Sequence, residues 1–108
     1  MPKNLAQLSL LVALILSMPG VASPAPSSKV LEFIALAKSR AKTSEAAEAL
    51  RTGPPEEFFR WGEGACDWVR KGNTDFAATT SNLAEFFGDD LAAAIVFAAR
   101  KVICPELK

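Results

Sequence analysis

The chain contains two cysteines, Cys66 in its middle and Cys104 near its end, and an internal disulfide can join only these two. Such a bond would tie the centre of the fold to its last residues. Closing a loop of this length contributes about 4 kcal/mol in the chain-entropy account. With 108 residues the chain forms one domain at most, whose core is marginal. The bond would therefore supply a large share of the stability.

The beginning of the chain has the pattern of a secretory signal peptide. Lys3 precedes an apolar run at 8–16, and Pro19-Gly20 and small residues follow. The run is short for a membrane span, which takes roughly 20 residues. Cleavage is expected after Ala22, because this site avoids Pro24 and Pro26, and an uncleaved anchor is the alternative. We predict a secreted or cell-envelope protein without a stable membrane span. The predicted organisation is a signal peptide at 1–22, a flexible leader at 23–28 and a helical domain at 29–108.

Export to an oxidising compartment predicts a structural disulfide between Cys66 and Cys104. A redox-active pair is the alternative. The two cysteines do not form a Cys-x-x-Cys motif, and the chain has no histidine that could activate a thiolate. The missing histidine also removes the commonest general base and the commonest zinc ligand.

Composition and periodicity predict an all-α fold, because alanine is abundant and β-branched residues are sparse. The first helix is expected to start near Ser28 as its N-cap. A second, short helix over 46–50 is ended by Gly53-Pro54-Pro55. The apolar face of the first helix consists of Val30, Phe33, Ile34, Ala37 and Ala41.

The next helix is expected to begin at Pro55 and to end at Gly72. Trp61 and Trp68 stand together at one edge of its apolar arc. Gly62 lies within that arc, where it would permit close approach of a neighbouring helix; Gly64 lies on the polar side, and the pattern gives no reason for it. The arc consists of Phe58, Phe59, Gly62, Ala65, Cys66 and Val69.

Two further helices follow. The first is expected to be capped by Asn73 or Thr74 and to end at Gly88. The last opens with Asp89-Asp90 and runs from Leu91 to about Cys104; it is apolar all round, which is typical of the central helix. We predict a small bundle of four to five short helices stapled by one disulfide. The stripe predicted for the first of these two helices is Phe76, Thr80, Leu83 and Phe87.

The chain resembles the domain of unknown function 732 family, which comprises small secreted actinobacterial, mainly mycobacterial, proteins. The likeness covers roughly residues 30–107. The matching stretches are Phe33-Ile34-Ala35-Leu36-Ala37, Gly62 with Cys66-Asp67-Trp68-Val69-Arg70-Lys71-Gly72, and Ala93 to Val102 followed by Ile103-Cys104-Pro105. The resemblance implies an exported helical domain with these two cysteines bridged. It implies no activity, because the family has no assigned one.

No catalytic, cofactor or metal site is expected. The paired carboxylates Glu56/Glu57 and Asp89/Asp90 lie where helix N-termini favour negative charge, so acid–base chemistry is the weaker interpretation. No serine or threonine has a histidine partner for a triad. The 12 basic and 12 acidic residues balance, which gives no basic surface for nucleic acid.

Two functional hypotheses remain. The first is a non-enzymatic module that binds an unidentified protein or envelope component through an apolar surface at Trp61 and Trp68, since tryptophan is enriched at binding hot spots. The competing interpretation is that the first helix or the 44–51 segment covers both tryptophan rings, which would leave no apolar surface there. The second hypothesis is a carrier of an apolar small ligand or lipid. The residues expected to line a carrier cavity are Phe33, Phe76, Leu83, Phe87 and Phe97.

Overall fold

The computed structural model describes residues 26–72 and 74–107, and this part of the chain forms a five-helix bundle without strands. The predicted all-α bundle with one disulfide is confirmed. The predicted signal peptide and the first residues of the leader lie outside the described residues. The helices are α1 Ser28–Arg40, α2 Ser44–Thr52, α3 Pro55–Arg70, α4 Phe76–Phe87 and α5 Asp89–Val102.

Helix α1 begins slightly earlier than its sequence predicts. The cap is Ser27, whose hydroxyl accepts a hydrogen bond from the Val30 N–H at 3.3 Å. Ser28 was expected to be the cap and the last residue of the leader, but it is the first helical residue. The folded domain therefore includes the end of the predicted leader.

Helix α4 begins later than predicted. Its cap is Asp75, whose carboxylate accepts from the Ala78 N–H at 2.8 Å, so the expected cap at Asn73 or Thr74 is wrong. All three residue types suit a helix N-cap, and the pattern alone does not choose among them. Capping at Asp75 makes the buried Phe76 the first residue of the helix.

Helix α5 is the centre of the bundle, as predicted, because it contacts each of the other four helices. Alanines occupy much of its surface and allow these helices to approach closely. It ends at Val102, slightly before the expected end near Cys104. Its buried residues are Leu91, Ala92, Ala94, Ile95, Val96, Ala98, Ala99 and Val102.

Gly62 allows α1 to pack against α3, as expected. A Cβ at this position would lie 2.8 Å from the Phe33 ring and 3.1 Å from the Ile103 side chain. Phe33 is fully buried and meets Phe59 edge-on, with the ring centroids 5.4 Å apart. A side chain at position 62 would therefore force the buried Phe33 ring to shift, which favours glycine there.

The disulfide joins Cys66 of α3 to Cys104, just beyond α5, with a Cα–Cα distance of 6.1 Å and a sequence separation of 38. Both residues are completely buried. A buried bond is inaccessible to reducing partners, whereas redox-active cysteines are at least partly exposed. This geometry favours the structural interpretation of the pair.

An ion pair holds the chain after the disulfide. The Arg70 guanidinium lies 2.6 Å from the Glu106 carboxylate and 3.3 Å from that of Asp67. The hydrogen bond from Arg70 lowers the pKa of Glu106 below its ordinary value. All three side chains are exposed to solvent, so the pair orders the end of the chain and adds little stability.

Candidate binding groove between two helices

The two tryptophans lie on the surface of the bundle. Trp61 is 41% exposed and Trp68 51% exposed, so neither α1 nor the 44–51 segment covers them. Their neighbours come from α4 instead. The Trp61 ring lies 6.1 Å from that of Phe86 and 5.3 Å from that of Phe87, nearly perpendicular to the latter. This partial exposure agrees with the prediction that Trp61 and Trp68 lie at the edge of the apolar arc of α3.

Between α3 and α4 lies a hollow of about 170 Å³, which we call the α3–α4 groove. None of its lining side chains is charged. The lining consists of Trp61, Gly64, Ala65, Trp68, Thr79, Asn82, Leu83 and Phe86. An uncharged hollow rimmed by aromatic rings is suited to an apolar group.

The floor of the α3–α4 groove is firmly packed. Ala65 and Leu83 belong to the core cluster. Thr79 is buried, and its hydroxyl donates to the Asp75 carbonyl at 2.8 Å, so its polar atom is satisfied within α4. The groove is therefore a fixed feature of the α3–α4 contact.

The sequence analysis gave no role to four of the lining residues, and two of these four bear on the shape of the groove. Phe86 is 73% exposed, the largest exposed fraction among the large apolar side chains. The only signal for it was a pair of phenylalanines at the end of α4, of which Phe87 alone fits the core stripe. Gly64 is the other; a Cβ there would meet no atom within 4 Å. The glycine costs α3 about 1 kcal/mol relative to alanine.

The paired carboxylates have structural roles. Asp90 accepts hydrogen bonds from the backbone N–H groups of Lys42 and Thr43, at 2.7 and 2.8 Å. Glu56, Glu57 and Asp89 lie in first turns of helices, as predicted. Within residues 26–72 and 74–107 no cluster of His, Cys, Asp and Glu could hold a metal ion.

Three larger hollows among the described residues are lined in part by charged side chains. The smallest of them, of about 240 Å³, shares Gly64 and Trp68 with the α3–α4 groove and is also lined by Asp67 and Lys71. One, of about 480 Å³, lies beside Phe97, Arg100 and Lys101; the Lys101 ammonium stands 5.6 Å from the centre of the Phe97 ring. Another, of about 440 Å³, contains Asp90, whose carboxylate already accepts a hydrogen bond from the N–H of Thr43, the cap of α2. All three are less suited to an apolar group than the α3–α4 groove.

The five residues expected to line a carrier cavity do not surround a common cavity in the structure. Phe33, Phe76 and Leu83 are buried in the packed core, while Phe87 and Phe97 are partly buried. The hollows described above each include at most one of the five. Among the helices that the structure describes, none is both long and apolar enough to cross a membrane.

Comparison with known proteins yields no relative: no family model, curated protein or solved structure matches the chain. The resemblance to the domain of unknown function 732 family consequently depends on the quoted residues alone.

Proposed function

We propose that this protein is a secreted, non-enzymatic binding module that recognises a protein or envelope component through the α3–α4 groove. The observation that carries the proposal is the exposure of Trp61, Trp68 and Phe86 around an uncharged hollow. Tryptophan is the residue most enriched at binding hot spots, where an aromatic anchor meets an apolar pocket. Leaving three large rings in water is unfavourable unless a partner covers them.

The secreted location is part of the same proposal. It is supported by the signal-peptide pattern of residues 1–22 and by a disulfide, which persists in oxidising compartments. Membership of the domain of unknown function 732 family is likewise proposed on the cysteine contexts. A carrier function has no comparable support, because Phe33, Phe76 and Leu83 fill the core.

A peptide selection tests the proposed site. A library of random peptides displayed on phage is selected against the oxidised protein, and the enriched peptides are titrated against Trp68→Ala. The matched control is Leu31→Ala, which removes an apolar side chain of similar exposure from α1. We expect Trp68→Ala to weaken binding about 30-fold, as for a hot-spot residue, and Leu31→Ala to leave it unchanged.

Two results would overturn the proposal. One is the absence of enriched peptides that bind the folded protein. The other is equal affinity for wild type and Trp68→Ala, which would place any recognition outside the α3–α4 groove. Circular dichroism of both variants verifies that the helices are retained.

A further inference from the structure

Gly64 has no packing role among the residues that the structure describes. Gly62, two residues earlier, is required by the Phe33 ring, but a Cβ at Gly64 would meet no protein atom within 4 Å. Gly64 is exposed in the middle of α3, and the helix continues through it with ordinary geometry. Glycine also permits close approach of a ligand to the backbone, and this is the role that its position in the groove offers.

Gly64 lies between the two tryptophans along α3. Trp61 and Trp68 are separated by about 10 Å of helix rise, and Gly64 falls between them in the lining of the groove. We propose that Gly64 is the point at which a bound group rests on the helix backbone. The bound group is a single uncharged side chain of phenylalanine, leucine or methionine size, presented by a partner protein. This inference rests on the proposed function.

The size of the groove supports one such side chain. Its volume is about 170 Å³. An apolar protein cavity of about 150 Å³ takes up benzene, so the α3–α4 groove has room for one ring or one branched aliphatic group. A lipid acyl chain would place only a few of its methylenes there and leave the others in water.

The charge of the groove supports an uncharged occupant. The lining between Trp61 and Phe86 has no ionisable residue, so an ammonium or carboxylate buried there would touch no opposite charge. The nearest charged side chains, Asp67 and Lys71, line the neighbouring hollow on the far side of Gly64 and Trp68. The side-chain amide of Asn82 makes no hydrogen bond within the described residues and faces solvent beside the groove. It offers a donor and an acceptor to the backbone of a peptide.

The exposed patch is smaller than the contact area of a stable dimer, so the patch by itself does not call for a second copy of this chain as the occupant. From their exposed fractions, the rings of Trp61, Trp68 and Phe86 leave on the order of 350 Å² uncovered. Stable dimers bury about 800 Å² per partner. The patch instead has the size of the functional patches on monomeric proteins.

Nuclear magnetic resonance tests the inference directly. The chain has two tryptophans, so the two indole N–H signals of ¹⁵N-labelled, oxidised protein report the two ends of the groove. The probes are N-acetyl-phenylalaninamide and N-acetyl-leucinamide, with N-acetyl-lysinamide as the charged control. We expect both indole signals to shift with the apolar probes and to remain unchanged with the lysine probe.

The decisive variant is Gly64→Ala, with Glu63→Ala as the matched control outside the groove. The added methyl group should weaken binding of the phenylalanine probe about tenfold, the loss that 1.4 kcal/mol produces. It should also raise the urea midpoint, because alanine favours the helix and meets no atom. Glu63→Ala should leave affinity unchanged. Weaker binding by a more stable variant cannot arise from damage to the fold.

Each other outcome contradicts a specific step. Equal affinity of Gly64→Ala and wild type would overturn the role of Gly64 but leave the proposed function intact. Tighter binding of octanoate than of either amide would identify an acyl chain as the occupant. Indole shifts that depend on protein concentration without a probe would indicate self-association. No shift with any probe would overturn this inference, whereas the proposed function is decided separately by the peptide selection.

Discussion

Asp90 connects two helices through one carboxylate. Its Oδ2 accepts three hydrogen bonds, from the Lys42 and Thr43 N–H groups and from the Thr43 hydroxyl at 3.1 Å. The Thr43 hydroxyl in turn accepts from the Ala46 N–H and caps α2. Asp90 thus attaches the beginning of α2 to the first turn of α5.

We expect Asp90→Ala to lower the melting temperature by several degrees at pH 7, because it leaves the donors at the start of α2 without this acceptor. Asp89→Ala is the matched control, since Asp89 lies in the same first turn. Thermal unfolding followed by circular dichroism measures both. An equal decrease in melting temperature in the two variants would mean that Asp90 stabilises the protein only as a negative charge at the N-terminus of α5, and not through its hydrogen bonds to α2.

The same bond should depend on pH. Hydrogen bonds from the Thr43 backbone, foremost, and from Lys42 lower the pKa of Asp90 in the folded protein. A lowered folded pKa means that the stabilisation is complete above the unfolded pKa and is lost as pH falls through the folded value. The difference in melting temperature between wild type and Asp90→Ala should therefore shrink in acid.

Helical periodicity predicted the apolar faces of the elements well, because each face depends only on spacing along its own helix. The face of α3 that contains Phe58 and Cys66 is buried as expected. The groove could be predicted only in part. Gly64 and Phe86 line a common hollow only because α3 and α4 pack side by side. The spacing of residues within one helix does not predict which helix packs beside it.

The disulfide is the covalent link between elements, and its removal is expected to be severe. The double variant Cys66→Ala, Cys104→Ala should lose about 4 kcal/mol of the free energy of unfolding, from loop closure across a separation of 38. Urea denaturation measures the loss. Wild type unfolded and refolded in reductant is the matched control and should show a similar midpoint.

Solvent exclusion adds a kinetic test of the same bond. Since both cysteines are fully buried, reductant added to the native protein should leave the bond intact until the bundle opens. Rapid reduction at the rate of a solvent-exposed disulfide would contradict the buried geometry. Rapid reduction together with an unchanged urea midpoint would contradict the stapling role as well.

At the scale of the whole molecule, the bundle has a closely packed interior and one surface groove with exposed aromatic side chains. Helix α5 occupies the centre, and α1, α3 and α4 pack around it through alanine-rich contacts. A core filled in this way leaves the α3–α4 groove as the place where apolar side chains meet solvent together. The arrangement favours recognition at the surface over storage of a ligand in the interior.

The proposed export gives the last prediction. Because cleavage is expected after Ala22, protein recovered outside an exporting host should begin at Ser23 and lack the two thiol hydrogens of Cys66 and Cys104. Native mass spectrometry measures both properties at once. We expect the mass of a single processed, oxidised chain, since the proposed occupant of the α3–α4 groove is a side chain of a different protein. Full-length protein retained with the membrane would instead support the uncleaved anchor, and a mass twice that of the chain would show a dimer and contradict the expected single chain.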